Sequence, residues 1–296
     1  MVQIQKILCP VDQSEASGRA LDYALMLSRW YDASLTAVEV AWAGLPSVSP
    51  AAPALLSPEY LQESAGALRR FVDARAGDVV VETKLVHGPI VANVVDEARG
   101  LPADLIVIGT HGRGGFERFV LGSVAEKVLR KAPCPVLTVP PAAPGAPDVP
   151  QPFKAIICAV DFSPSSLTAL EYALLLAGES GKRLILLHVF DWDDERVVPD
   201  LFDQQTSAMR EEHRRTTLER MRALVPDSTR VWCECRELTA TGRPHEKVVE
   251  VASDEGADLI VMGVHGRRIA NLLLFGSTTN QVVRHAACPV LTVRAK

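Results

Sequence analysis

Two segments of this chain share an apolar run, a glycine-rich turn and a closing Gly-Ser pair, and this duplication constrains the fold more than any other feature. The first segment is DLIVIGTHGRGGFERFVLGS at residues 104–123, and the second is DLIVMGVHGRRIANLLLFGS at residues 258–277. A short apolar run bounded by turn residues predicts a buried parallel strand. Two copies of one such pattern predict two similar domains.

The rest of the chain follows the same duplication. Hydrophobic periodicity around each segment predicts the order β-α-β-α-β-α-β-α-β, which calls for a parallel sheet with helices on both faces and right-handed crossovers. We therefore predict an α/β chain of two tandem doubly wound, Rossmann-like domains, each with a five-stranded parallel sheet in the order 3-2-1-4-5. The domains span residues 1–140 and 153–296, and the proline-rich segment 141–152 is a semi-rigid linker.

This topology predicts where a ligand binds. Open α/β sheets bind ligands beyond the carboxyl ends of their strands, where the strand order reverses, here between the first and fourth strands. That edge brings Asp12 opposite Gly109, and Asp161 opposite Gly263. A carboxylate can accept hydrogen bonds from ribose hydroxyls, and amides at a glycine turn or helix start suit a phosphate. The sequence contains neither a P-loop nor G-x-G-x-x-G after the first strand, so a nucleotide pocket of another type is predicted.

The pattern G-x-x-G-x(9)-G-[S/T] after the fourth strand, with Val-Asp after the first, resembles the universal stress protein family in a tandem two-domain form. The resemblance covers the chain except the linker and insertions at 41–58 and 191–195. It implies one ATP per domain, with or without Mg²⁺. The contacts implied in the first copy are Val11, Asp12, Val40, Ile108, Gly109, Gly112, Gly122, Ser123 and Val124, and those in the second are Val160, Asp161, Val189, Met262, Gly263, Gly266, Gly276, Ser277 and Thr278.

Several residues near the motif allow two interpretations. Arg113 and Arg267 follow the glycines, and each is either a phosphate contact or a solvated charge. His111 and His265 are either phosphate contacts or turn residues that pack on the sheet edge. Both predicted ligand aspartates also suit helix caps, and the two uses are compatible. The insertion at 41–58 is either a lid or an irregular excursion, and the acidic residues at 191–195 suit either a metal or a solvated loop.

The two copies differ around the predicted pocket. Thr279 offers a hydroxyl to the phosphates where the first copy has Ala125, and His188 stands beside the base where the first copy has Glu39. An acid close to a polyanion is unfavourable. We therefore expect the second site to bind its nucleotide more tightly than the first.

Composition and charge exclude several classes of protein. The chain has 31 Lys and Arg against 36 Asp and Glu, a net charge of −5, which argues against a phosphate-neutralising nucleic-acid surface. No apolar run reaches the length of a membrane span and the start does not read as a signal peptide, which predicts a cytoplasmic location without a membrane partner. Four of the six cysteines lie in or beside predicted strands and suit packing. The fragment Cys233-Glu234-Cys235 has no second ligand pair at zinc spacing.

The resemblance implies a nucleotide-responsive regulator of a stress response or of dormancy, and not an enzyme. Catalysis would need a placed base, and the one carboxylate in the first glycine-rich turn, Glu117, has no acidic counterpart in the second. Slow ATP hydrolysis or phosphotransfer in the same pockets stays open as the alternative. The resemblance further implies pairing of the two domains through their fifth strands, PVLTV at 135–139 and 289–293, while a homodimer of chains stays open.

Overall fold

The structure, a computed structural model, describes residues 2–41, 57–111, 121–141, 150–178, 181–191, 203–264 and 276–295. The chain divides into two compact units, Gln3–Pro152 and Phe153–Lys296. Within the described ranges no helix has both the length and the apolar character needed to cross a membrane.

The first unit alternates strands and helices. Its elements are β1 (Lys6–Val11), α1 (Glu15–Tyr31), β2 (Ser34–Ala41), α2 (Pro58–Ala76), β3 (Val81–His87), α3 (Ile90–Gly100), β4 (Leu105–Gly109), α4 (Ser123–Lys131) and β5 (Val136–Val139). All neighbouring strands are parallel, in the order β3-β2-β1-β4-β5. Helices α1 and α2 pack against each other, and so do α3 and α4.

The second unit repeats this arrangement with one added helix. Its elements are β6 (Ala155–Ala159), α5 (Pro164–Leu176), β7 (Lys182–Phe190), α6 (Asp203–Leu224), α7 (Asp227–Arg230), β8 (Cys233–Thr241), α8 (Pro244–Asp254), β9 (Leu259–Gly263), α9 (Ser277–His285) and β10 (Val290–Val293). The strand order β8-β7-β6-β9-β10 is again parallel throughout. The predicted fold class and the order 3-2-1-4-5 are confirmed within each unit.

The core of each unit lies on its central strands. Ile106 and Val107 of β4 are completely buried, as are Ile156 and Ile157 of β6. Near-continuous apolar runs of this kind are expected in a sheet covered on both faces. Strand periodicity predicts a strand over residues 229–238, and this prediction is wrong at its start: α7 ends at Arg230, and β8 begins at Cys233. Pro226 before the short helix favours a turn there, which the strand pattern had concealed.

A half-buried aspartate ties the start of the first strand to the start of the fourth in both units. Asp104 accepts hydrogen bonds from the amides of Gln5 and Lys6 at 2.9 and 3.0 Å. Asp258 accepts from the amides of Lys154 and Ala155 at 2.7 and 3.1 Å, one on each carboxylate oxygen. Burial raises the pKa of Asp258 above its ordinary value, with the two amides acting in the opposite direction. The carboxylates therefore fix the register of the two central strands of each sheet.

Of the four cysteines that the sequence assigns to packing, two are buried and two are half-buried. Cys9 and Cys158 are buried at the centres of β1 and β6, and burial raises the pKa of both thiols, that of Cys158 to about 12. Burial also raises the pKa of Cys134 and of Cys288 to about 12. Thiols of such high pKa are poor nucleophiles and poor metal ligands at neutral pH.

Candidate functional site

The aspartate that follows the first strand is held by the helix that it precedes. In the first unit Asp12 accepts a hydrogen bond at 3.1 Å from the amide of Ser14 and another from its hydroxyl. Ser14 in turn is the N-cap of α1 and accepts from the amide of Ser17. The hydroxyl of Ser17 closes the loop by accepting from the amide of Asp12 at 3.2 Å.

The second unit builds the same loop with the same geometry. Asp161 accepts from the amide and the hydroxyl of Ser163 at 3.0 and 2.6 Å, and Ser163 caps α5. Ser166 accepts from the amide of Asp161 at 3.3 Å. The alternative that the aspartates are helix caps is thus answered: the serines are the caps, and each aspartate orients its serine. Because a carboxylate has several acceptor positions, this use leaves it chemically able to accept further donors.

The residue after each aspartate adopts a left-handed backbone conformation. Gln13 and Phe162 both have φ of 61°. This region is unfavourable for side chains larger than glycine, by about 1 kcal/mol. The same strained turn therefore occurs in both units, with two very different side chains.

The glycine that ends the fourth strand is required by packing. A Cβ on Gly109 would lie 2.8 Å from the carbonyl oxygen of Ala16, and a Cβ on Gly263 would lie 2.7 Å from the hydroxyl of Ser165 and 2.8 Å from the amide of Ser166. These contacts bring the first turn of α1 against the end of β4, and that of α5 against the end of β9. The predicted juxtaposition of an aspartate loop and a glycine strand end is therefore present in each unit.

Helices α4 and α9 begin at the second predicted glycine. Gly122 and Gly276 are the N-caps, with φ of −58° and −60°, and neither provides a side-chain cap. Their own amides donate to the carbonyl oxygens of Thr110 and Val264 at 2.7 and 3.1 Å. The cap amide therefore points inward, and only the amides from Ser123 and Ser277 onward belong to the uncapped first turn.

Space, and not backbone angle, explains these two glycines. A Cβ on Gly122 would lie 3.0 Å from the carbonyl oxygen of Thr110, and one on Gly276 would lie 2.8 Å from that of Val264. Both helix starts are thus held against the exit of the fourth strand. Ser123 and Ser277 are exposed, and Val124 and Thr278 are half-buried beside them.

The expectation for Thr279 needs correction. Its side chain is only 3% exposed, and its hydroxyl donates to the carbonyl oxygen of Gly263 at 3.0 Å. A hydroxyl has one proton to donate, so this one is directed at the strand and not at a phosphate. Ala125 takes the equivalent buried position in the first unit. The difference between these two residues thus concerns the attachment of the helix to the strand.

The base end of each unit is the part of the predicted pocket where the nucleotide base would lie. In the first unit this part is polar. Val11 ends β1, and its register partner on β2 is Glu39, which directly precedes Val40. The side-chain amide of Gln13 donates to the carboxylate of Glu39 at 2.7 Å. Glu39 and Val40 are both half-buried. The predicted base neighbour Val40 is therefore next to a hydrogen-bonded, negatively charged pair.

The base end of the second unit is aromatic. His188 is 8% exposed, and its Nδ1 lies 2.6 Å from the carbonyl oxygen of Val160. Its ring lies 5.4 Å from that of Phe162 and 4.9 Å from that of Phe190. The guanidinium of Arg220 on α6 covers Phe162 at 3.9 Å. The half-buried Val189 is therefore flanked by an aromatic cluster where the first unit carries the carboxylate of Glu39.

The remaining predicted residues lie in different parts of the chain. Ile108 and Met262 are buried at the ends of β4 and β9. His111 is half-buried, and its Nδ1 lies 2.9 Å from the hydroxyl of Thr110. The following predicted residues and most of both insertions lie outside the described residues: Gly112, Arg113, His265, Gly266 and Arg267, with the stretches 42–56 and 192–202. Among the residues that the structure covers, no group of three or more His, Cys, Asp or Glu could hold a metal.

Sequence reasoning missed the serines that orient the aspartates. Ser14 and Ser17 in the first unit match Ser163 and Ser166 in the second. The signal is present in the sequence as D-x-S-x-x-S in both copies. It is a typical N-cap pattern and would have identified both the cap and its partner.

Comparisons with known proteins identify the family. The model of the universal stress protein family matches the chain twice, over residues 3–140 and 152–294. A universal stress protein of Mycobacterium tuberculosis is 32% identical over 220 residues, which cover 72% of this chain and 69% of that protein. A universal stress protein of Mycolicibacterium smegmatis is 27% identical over 307 residues, covering 98% of this chain and 97% of the relative.

A solved structure shows the same fold over the full length. The crystal structure of a universal stress protein from Archaeoglobus fulgidus superimposes with a TM-score of 0.69 at 23% identity, and the match covers 98% of each chain. The two family matches coincide with the two units that carry the duplicated aspartate loop and glycine-capped helix. This chain belongs to the universal stress protein family, with two domains of that family in tandem.

Proposed function

We propose that each unit binds one adenine nucleotide, ATP with or without Mg²⁺, and that the protein is a nucleotide-responsive regulator. One observation carries the proposal. In both units a helix without a side-chain cap begins at the carboxyl edge of the sheet, where an aspartate is held by the neighbouring helix start. A duplicated arrangement of an acid and an uncapped helix start suits the two ends of a nucleotide.

The phosphates would lie at the starts of α4 and α9. Helix starts carry partial positive charge and amide donors, which favour anions. The exposed hydroxyls of Ser123 and Ser277 add one donor each. Because no protein cluster of three potential metal ligands occurs in the described ranges, a Mg²⁺ ion would take its ligands mainly from phosphate oxygens and water.

The nucleoside would lie toward Asp12 and Asp161. Each carboxylate is already oriented by its serine, and it can accept ribose hydroxyls without a rotamer search. The base would then reach the second strand at Val40 or Val189. Under this proposal the phosphate end is alike in the two units, whereas the base end differs.

A regulator, and not an efficient enzyme, fits the chemistry of these residues. In both units the aspartate accepts hydrogen bonds from the amide and the hydroxyl of its serine, so its described contacts serve to orient a helix start. Rapid phosphoryl transfer would need further groups placed to stabilise developing charge. We propose instead that nucleotide binding shifts a conformational equilibrium that a partner reads. Pairing of the two units through β5 and β10 belongs to the same proposal.

The test uses acids at the helix starts. Ser123→Glu and Ser277→Glu place a carboxylate where the phosphates would lie, and an acid in the first turn is favourable for the helix itself. Calorimetric titration with ATP, with release of phosphate followed in the same sample, should give two sites for the natural chain, and one unchanged and one weakened site for each single variant. Repulsion should lower affinity at the altered site by about tenfold or more.

Matched alanine variants complete the experiment. Ser123→Ala and Ser277→Ala remove a hydroxyl and leave the amides, so affinity should fall by only about threefold to tenfold. Failure of the folded natural chain to bind ATP at millimolar concentration would refute nucleotide binding. Multiple turnover at rates typical of enzymes would refute the regulatory part alone.

A further inference from the structure

A groove lies at the amino ends of β1, β2 and β3 in the first unit, at the opposite end of the strands from the candidate nucleotide site. It has a volume of about 370 Å³. Its floor contains the buried residues Ile7, Leu35 and Thr36, and its rim includes Val80, which is 91% exposed. The lining residues are Lys6, Ile7, Ser34, Leu35, Thr36, Val80, Glu82 and the stretch 100–103.

In the second unit an arginine side chain, Arg183, lies at the position that corresponds to the groove. Arg183 stands at the start of β7 as Ser34 stands at the start of β2, since each pairs with the first residue of the neighbouring strand. The amides of both donate to the residue before that strand at 2.8 Å. The guanidinium of Arg183 donates to the carbonyl oxygen of Glu255 at 2.9 Å and lies 3.7 Å from its carboxylate.

The acceptor for that guanidinium has a counterpart in the first unit. Glu255 is the C-cap of α8 with φ −83° and ψ −2°, and Leu101 is the C-cap of α3 with φ −81° and ψ −2°. The next turn is also the same, because Ala103 and Ala257 donate to Ala98 and Ala252 at 2.9 and 2.8 Å. The first unit therefore offers a helix C-terminal carbonyl at the matching point, in a region of negative partial charge.

The two units carry different charged residues at this end of the sheet. In the second unit Glu255 lies between Arg183 and Arg236, which is 2.9 Å from it. In the first unit the position of Arg236 is taken by Glu82, which accepts from the hydroxyl of Thr36 at 3.2 Å. The first unit thus keeps an acid and lacks the arginine. Lys6, at the start of β1, also lines the groove.

We propose that this groove binds an arginine side chain of a partner protein, in the position that Arg183 fills within the second unit. The guanidinium donates to Glu82 and to the C-terminal turn of α3. The aliphatic stem packs on Val80, which is 91% exposed. Arginine suits the groove better than lysine because its planar fork can reach two acceptors and its stem can cover apolar surface.

The test uses N-acetyl-arginine amide as the probe and N-acetyl-lysine amide as its matched control. Both are titrated into the ¹⁵N-labelled full chain, and amide shifts are followed. The arginine compound should give saturable shifts at Leu35, Glu82 and Ala103, with affinity several-fold higher than that of the lysine compound. Saturation with ATP should leave these shifts unchanged, which separates this site from the proposed nucleotide pockets.

Three variants make the inference sharp. Ser34→Arg supplies the missing side chain internally and should abolish the shifts, while Glu82→Gln should weaken binding by about tenfold. Arg183→Ser opens the equivalent groove and should add a second set of shifts around Leu184 and Cys235. Equal response to the lysine compound, or an unchanged response in Ser34→Arg, would overturn the proposal. So would the absence of saturable shifts in the natural chain.

Discussion

The two units carry the same glycine-capped helix start but opposite base ends. In the first unit Gln13 donates to the carboxylate of Glu39. In the second unit Phe162 and His188 take these positions within an aromatic cluster, and Arg220 covers it. The backbone beneath is unchanged, since φ is 61° at both Gln13 and Phe162. One backbone therefore supports a hydrogen-bonded acid in one copy and an aromatic cluster covered by an arginine in the other.

This comparison shows which residues are constrained in both units and which can differ. The glycines are fixed because backbone atoms of the same unit occupy the space of a Cβ. Side chains at the base end are limited only by their partners, so a pair can change together. If each unit binds a nucleotide as proposed, the two units should differ in their preference for the base.

The largest effect is expected from Gly263→Ala, paired with Gly109→Ala. The added Cβ meets backbone atoms at 2.8 Å in both units, and the helix in contact must move. Each change should lower the free energy of unfolding of its unit by about 2–3 kcal/mol. Hydrogen exchange of the amides of β9 and β4 measures the two units separately. A loss below about 0.5 kcal/mol in either unit would break the claim that this constraint is shared.

A smaller effect, and an unequal one, is expected from exchanging the base-end residues. His188→Glu buries a carboxylate against the carbonyl oxygen of Val160 and should cost the second unit about 2 kcal/mol. Glu39→His places a ring at a half-buried position and should change the first unit by less than about 1 kcal/mol. Hydrogen exchange of β7 and β2 provides the readout. Equal costs would show that the two environments are interchangeable.

Replacing the half-buried aspartates Asp258 and Asp104 should sharpen the comparison at the amino ends of the strands. Asp258→Asn turns one amide donor toward another, since both carboxylate oxygens accept there, and should cost about 1–2 kcal/mol at neutral pH. Asp104→Asn should cost less, because one oxygen accepts both amides. Hydrogen exchange at the starts of β6 and β1 distinguishes them.

The pH dependence supplies a check on the same aspartate. The folded unit holds the pKa of Asp258 above its ordinary value of 3.8. The protonated carboxyl group therefore adds to the free energy of unfolding. This contribution is fully present below pH 3.8 and is lost as the pH rises through the pKa of the folded state. Asp258→Asn should remove this loss. A pH profile of unfolding that is identical in the natural and variant chains would contradict the assignment.

The smallest effects are expected from removing one side-chain contact at each base end. Arg220→Ala removes the cation–π contact with Phe162 and should cost about 0.5–1 kcal/mol. Gln13→Ala removes its hydrogen bond to Glu39 at a similar cost. Comparison of ATP affinity with that of GTP in these variants tests whether the two ends differ in base preference. Identical ratios in both would argue against a divergent base end.

The fold was predictable because the signals for it are local and occur twice. The runs before Gly109 and Gly263 predict buried strands, and alternation with helices then leaves few topologies. The position of Asp12 opposite Gly109 follows from the strand order alone. The short helix α7 was not predictable in the same way, because four residues carry too little periodicity to outweigh a strand pattern.

The site was predictable in its backbone and less so in its side chains. Thr279 illustrates the limit: the sequence shows a hydroxyl near the cradle, but only the packing of α9 on β9 decides which way it donates. The aromatic cluster depends on α6, whose contact with Phe162 follows from tertiary packing. The inward-facing amide of Gly122 likewise depends on the path of the chain after Thr110.

The bond from Asp104 to the amide of Gln5 joins residues 99 positions apart, with consequences for synthesis of the chain. A ribosome that adds about 5–20 residues per second synthesises Asp104 about 5–20 s after β1, the strand to which it binds. During that interval the apolar first two strands have emerged, but their central neighbour is missing. Each unit is therefore most exposed to aggregation just before its fourth strand appears, and this is the stage at which a chaperone would protect it.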